Sequence, residues 1–178
     1  MLTRFRTGTT SLALLLSPVI LAHGPTPQKI IETVEIAASV DRVWALAGDF
    51  GAVAQWNSAL KSSESSNGNQ RGTRRTLVFA NGETLHEDLD AYDADKHEYH
   101  YRMSEPNVKA IPASSYSVIF KMTPTERGTQ VEWKSRAYRA DTSNEPPENM
   151  SDEAVSSALQ QFFSTGLSEL KTKLEAKP

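Results

Sequence analysis

Polar and apolar positions alternate with period two from Lys29 to Ile36 (KIIETVEI), which predicts a first strand with one buried face. After Ala38 the period changes. Ser39 stands where a helix N-cap belongs, Val43, Leu46 and Ala47 share one helical face, and Gly48 ends the helix. A second short helical piece carries Phe50, Val53 and Trp56. Residues 62–70 (SSESSNGNQ) contain no apolar residue and read as a polar surface turn. From there period two returns in five segments, 73–79, 84–92, 98–103, 116–122 and 129–138. Asn81-Gly82, residues 93–96, residues 106–112 and residues 124–128 supply the turns between them. With no helix between successive strands, antiparallel pairing follows. An acidic, proline-containing loop (140–150) then leads to Ser151 as N-cap of a last helix. Its apolar stripe is Val155, Leu159, Phe162, Phe163, Leu167, Leu170 and Leu174. The fold class is α+β, a curved antiparallel sheet wrapped around a long C-terminal helix, and the expected consequence is an enclosed cavity between them.

The hairpin around Asn81-Gly82 permits a sharper deduction. A two-residue loop would put Leu77 opposite His86 and split the apolar residues between the two faces. A three-residue loop, Ala80-Asn81-Gly82 with Gly82 left-handed, puts Leu77 opposite Leu85 and gathers Leu77, Phe79, Leu85 and Leu89 on one side. Consistent burial selects the second. Arg75 then lies opposite Glu87 on the same apolar face, where charges need partners, so an ion pair inside or at the mouth of the cavity is expected. That pair could equally serve only to tie two strands together. Tyr101 lines the next strand, Tyr116 another and Trp133 the last, while Trp56 and Phe162 approach from outside the sheet. The expected ligand-facing set is therefore Trp56, Arg75, Leu77, Leu85, Glu87, Tyr101, Tyr116, Trp133 and Phe162.

The start of the chain changes the picture of where the protein works. Arg4 and Arg6 precede an apolar run, Ser11 to Ala22, which is interrupted by Pro18 and falls short of the roughly 20 residues a membrane span needs. Residues 1–22 read as an export signal, residues 23–28 as a processed N-terminal segment and residues 29–178 as a single domain. Removing the signal takes Arg4 and Arg6 from the 19 basic residues and none of the 22 acidic ones, moving the net charge from −3 to −5. Such a surface argues against nucleic acid and against an anionic membrane face. The chain contains no cysteine, which excludes disulfides, a lipoprotein anchor, thiolate metal sites and a cysteine nucleophile. The expected compartment is the bacterial periplasm, with no membrane attachment after cleavage.

Catalytic and metal chemistry find little support. His86 is expected on the outer face of its strand, and His97 and His100 fall on opposite faces by period two, so they do not chelate together. Cleavage after Ala22 would leave His23 with a free amine and an imidazole suited to copper, but no second histidine can be named to complete the site. There is no glycine-rich phosphate loop or metal motif. No catalytic residue, metal or cofactor is assigned.

Several segments together resemble the START-like (SRPBCC) superfamily and, within it, the polyketide cyclase/dehydrase-type single domains. They are VWALAGDF (43–50), Trp56, Gly72 with Arg75, GETLHEDL (82–89), Tyr92-Asp93, Tyr99 to Arg102 and the C-terminal helix. HGPTPQK (23–29), VEW (131–133) and AYR before the Pro-Pro loop are similar to MxaD-like proteins, small exported accessory proteins of bacterial methanol oxidation. Ser58 departs from the pattern, which often has proline two residues after the tryptophan. The resemblance implies a helix-grip fold. It implies binding or docking rather than catalysis, and for the MxaD-like group assistance of electron transfer between methanol dehydrogenase and its cytochrome. Three functions stay open on the sequence: that accessory role, a periplasmic carrier of a small apolar molecule, and a cyclase-like enzyme using Glu87 or Arg75 as acid–base residues.

Overall fold

A computed structural model describes residues 25–176. The expected export signal and His23 lie outside the described residues. Strands β1 (Gln28–Ile36), β2 (Leu60–Ser65), β3 (Arg74–Phe79), β4 (Thr84–Asp93), β5 (Glu98–Glu105), β6 (Ala113–Thr125) and β7 (Gly128–Arg139) form one antiparallel sheet in the order β1-β7-β6-β5-β4-β3-β2. Helix α1 (Val40–Ala47) and a 3₁₀ turn (Val53–Gln55) connect β1 to β2, and helix α2 (Asp152–Glu175) follows β7. The sheet curls as a half-barrel around α2, the helix-grip arrangement.

The pleat decides which residues face the helix. Leu77, Leu85, Leu89, Tyr99, Tyr101, Val118, Phe120, Val131 and Trp133 are all buried, and the helix meets them with Val155, Leu159, Phe162, Phe163, Leu167 and Leu170. The stripe anticipated from the sequence is the buried face of α2. Ser151 caps that helix, its hydroxyl oxygen accepting from the Ala154 amide at 3.2 Å. Further along, Lys171 donates to the Glu35 carbonyl at 2.5 Å and the Ala37 amide donates to Glu175 at 2.7 Å, which pin the C-terminal end of α2 to the end of β1.

The β3–β4 hairpin has the three-residue loop. Arg75 pairs with Glu87 and Leu77 with Leu85, the Phe79 amide donates to the Glu83 carbonyl at 2.8 Å, and Gly82 has φ +90°. At the other end of the sheet Gly128 turns β6 into β7 with φ +144°, and a Cβ there would sit 2.1 Å from the Ile36 carbonyl oxygen. Both conformation and space exclude a side chain, so Gly128→Ala is expected to lower stability by more than ~1 kcal/mol. Urea denaturation checks this, and an unchanged midpoint would refute it.

Three sequence expectations are corrected. Residues 62–65 of the supposed surface turn belong to β2, an edge strand paired with β3 alone, where the Ser63 hydroxyl donates to the Gly51 carbonyl at 2.5 Å and accepts from the Ala54 amide at 3.0 Å in place of apolar contacts. Ser39 occupies the N-cap position of α1 but makes no side-chain cap bond. The second helical piece shrinks to the 3₁₀ turn, with Phe50 and Trp56 buried on either side of it.

Candidate functional site

Strand register brings the charged part of the expected site together. Arg75 Nε donates to Glu87 Oε2 at 2.6 Å, and Arg75 Nη1 donates to the Phe50 carbonyl at 2.8 Å. The Tyr116 hydroxyl donates to Glu87 Oε1 at 2.6 Å. The guanidinium is sandwiched between the Phe50 and Tyr101 rings, 4.2 and 4.4 Å from their centroids. Arg75 and Glu87 are 0% and 1% exposed, so this is a sealed ion pair and not one at a cavity mouth. Burial opposes the charge on Arg75, but the Glu87 carboxylate together with Tyr101 and Tyr99 outweighs it and holds the guanidinium above its ordinary pKa. Burial pushes the phenols of Tyr99, Tyr101 and Tyr116 up, and the charge of Glu87 pushes the same way. These hydroxyls therefore stay protonated at neutral pH: Tyr116 donates to Glu87 and Tyr99 to the Ala47 carbonyl at 3.4 Å, while Tyr101 accepts from Trp133 Nε1. Arg75 Nη2 and Trp56 Nε1 are buried with no hydrogen-bond partner among the described residues.

The enclosed cavity expected between sheet and helix is instead filled by the residues expected to line it. Trp133 stacks on Phe163 with centroids 4.4 Å apart, lies 5.3 Å from Trp56, and donates from Nε1 to the Tyr101 hydroxyl at 2.8 Å. Trp56 in turn stacks on Phe120 at 5.7 Å. Leu77 and Leu85 are 0% and 1% exposed beneath them. The helix comes this close because Gly166 faces the sheet: a Cβ there would approach the Trp133 ring to 3.0 Å and the Asn57 amide nitrogen to 2.7 Å. Asn57 itself is buried and donates to the Phe162 carbonyl at 3.0 Å. Large rings at inward positions and a helix seated against them leave no room for a ligand in this conformation.

A depression of about 330 Å³ opens beside the N-terminal half of the helix, between α2, the end of β3 and the loop before β6. Of the expected residues Phe162 reaches it, packed 5.6 Å from Phe79, which also lines the depression. Ala59, Ile111, Ala158, Gln161 and Thr165 complete much of the lining and were not anticipated. The helical members were open to inference from their spacing with Phe162, but no sequence signal places Ile111 there. Ser58, at the rim, is tied to α2: its amide donates to Glu169 Oε2 at 2.8 Å and its hydroxyl to Oε1.

The histidines stay apart. His86 is on the outer face with Nδ1 3.1 Å from the Thr76 hydroxyl, His97 packs edge-on against Trp44, and His100 pairs with Glu98 at 2.5 Å. Among the described residues no group of three or more His, Asp or Glu is arranged to hold a metal ion.

Residues 27–175 match the sequence profile of the family described as polyketide cyclase / dehydrase and lipid transport. No curated protein matches the chain. Among solved structures, the protein XoxI from Bacillus cereus is similar at 23% identity, with a TM-score of 0.69 over 82% of this chain and 94% of that one. A protein from Bacillus thuringiensis is similar at 24% identity and TM-score 0.69, over 84% of this chain and 100% of the other. A solution structure from Thermobifida fusca is similar at 25% identity and TM-score 0.64, over 84% and 97%.

Proposed function

This chain belongs to the polyketide cyclase / dehydrase and lipid transport family, the SRPBCC fold, and from that premise we propose that it is a non-enzymatic accessory protein of the bacterial periplasm. In this proposal it assists methanol oxidation by contacting a methanol dehydrogenase and its cytochrome partner through its surface. The observation that carries the proposal is the filled interior. An acid–base residue must reach the proton it moves, whereas Arg75 and Glu87 are buried and spent on each other, Tyr116 and the Phe50 carbonyl. A protein whose charged interior pair is sealed from solvent acts by what it presents outside. The segments HGPTPQK, VEW and AYR support the MxaD-like assignment, and Arg4, Arg6 and the apolar run to Ala22 support export.

Reconstitution tests this. Purified methanol dehydrogenase and its cytochrome are mixed with methanol, and cytochrome reduction is followed with increasing amounts of the protein. The rate is expected to rise, saturate near one equivalent and fall back at high salt as surface contacts are screened. A rate unchanged across that range would sink the accessory role.

A second function is favoured by the depression at Phe79 and Phe162, whose lining is mostly apolar. A small apolar molecule seated there would make the protein a carrier. Native mass spectrometry of protein purified from its own periplasm separates the two: a retained small molecule supports the carrier, and an empty chain opposes it.

A further inference from the structure

The convex face of the sheet turns away from α2. One rung across it runs through Lys29, Arg136, Ser117 and Arg102, aligned by the pairings of β1 with β7, β7 with β6 and β6 with β5. Arg136 and Arg102 stand two strands apart, about 10 Å at the backbone, with the Ser117 hydroxyl between them. Adjacent in the next rung, Ser115 pairs with Tyr138. All six residues are exposed, and five of them, Arg102, Ser115, Ser117, Arg136 and Tyr138, line a shallow depression of about 350 Å³ together with the buried Met103 and Tyr116.

The two arginines differ in their surroundings. Arg102 is held from the β4 side by Asp90 and, at 3.9 Å, by Asp88. Asp88 is itself engaged by Arg74 at 2.8 Å. These contacts fix Arg102 in place. Among the described residues, no carboxylate lies within salt-bridge distance of Arg136, although the protein as a whole is acidic. Lys29 adds a further positive charge on the far side of Arg136.

We propose that this depression is an oxyanion-binding site in which Arg136 grips a carboxylate or phosphate group beside the Ser117 hydroxyl, with Arg102, held on its β4 side by Asp90 and Asp88, forming the far wall. A guanidinium fork matches the two oxygens of such groups, and a serine hydroxyl beside it donates a further hydrogen bond. Tyr138, 36% exposed at the rim, offers a flat apolar surface to the rest of the ligand. An aromatic carboxylate and a phosphate ester share this chemistry.

The test is a titration of the folded, isotope-labelled protein by amide NMR, with benzoate and with inorganic phosphate in separate series at constant ionic strength. Saturable shifts are expected at Ser115, Ser117, Arg136 and Tyr138 with one or both probes. Arg136→Gln is expected to weaken the dissociation constant at least tenfold. Arg127→Gln, at a different surface position paired with Glu35, is expected to leave it unchanged. Saturation with benzoate alone identifies a ring carboxylate, and with phosphate alone a phosphate ester; either upholds the site. Shifts that grow without saturating, or an equal affinity in Arg136→Gln, would overturn it.

Discussion

Arg75→Met is expected to destabilise the protein by about 3–5 kcal/mol, because it leaves the buried Glu87 carboxylate without a cation. Four groups lose out together: Glu87 Oε2, the Phe50 carbonyl and the two aromatic rings that enclose the guanidinium. Against a typical total stability of about 5–15 kcal/mol, that is a large share. The double variant Arg75→Met with Glu87→Leu is expected to recover more than half of the loss, since an apolar pair of similar volume avoids the desolvation of both charges. The remainder reflects Tyr116, whose hydroxyl would be left without its acceptor, worth ~1–3 kcal/mol. Urea denaturation followed by tryptophan fluorescence reads both variants. A single variant as stable as the parent would show that the pair contributes nothing, and a double variant no better than the single would place the effect in packing instead.

Trp133→Ala is expected to produce a loss of about 3–5 kcal/mol, and a change of character in the interior. The indole stacks on Phe163, touches Trp56, Phe120 and Phe162, and supplies a hydrogen bond to the Tyr101 hydroxyl. Removing it opens an apolar void between sheet and helix, and voids of that kind stay dry and take up small aromatic molecules. Added indole is therefore expected to raise the melting temperature of Trp133→Ala while leaving the parent unmoved. No rise in the variant would mean that α2 has collapsed into the gap. A rise in both would mean that the parent interior already admits a ligand, which would move the balance toward the carrier function.

How much of this was legible before the structure depends on the kind of information each feature needs. The pairing of Arg75 with Glu87 needed only the loop between them, because apolar residues on both strands accept a single register. The buried stripe of α2 was legible for the same reason: periodicity reports faces directly. Strand β2 was not, since after Leu60 its residues are a lysine, serines and a glutamate, which carry no apolar alternation to detect. The filling of the interior was hidden for a different reason. Sequence tells which side chains point inward, but the space left between them depends on how closely the helix sits, and that is set by Gly166 against Asn57 and Trp133. The depression near Phe162 was partly hidden because Ile111 arrives on a loop, where neither period applies.

Strand β1 finds its partner at the opposite end of the chain: Gln28 pairs with Ala137 and Ile36 with Thr129. A growing polypeptide therefore holds its first strand unpaired until nearly all of the sheet has been synthesised, and the helix that seals both comes later still. Such non-local closure slows folding, because the entropy of joining distant segments must be spent before their contacts form. The pairing of β1 with β7 is therefore expected to be among the last contacts made, after the sequence-local hairpins from β2 to β7.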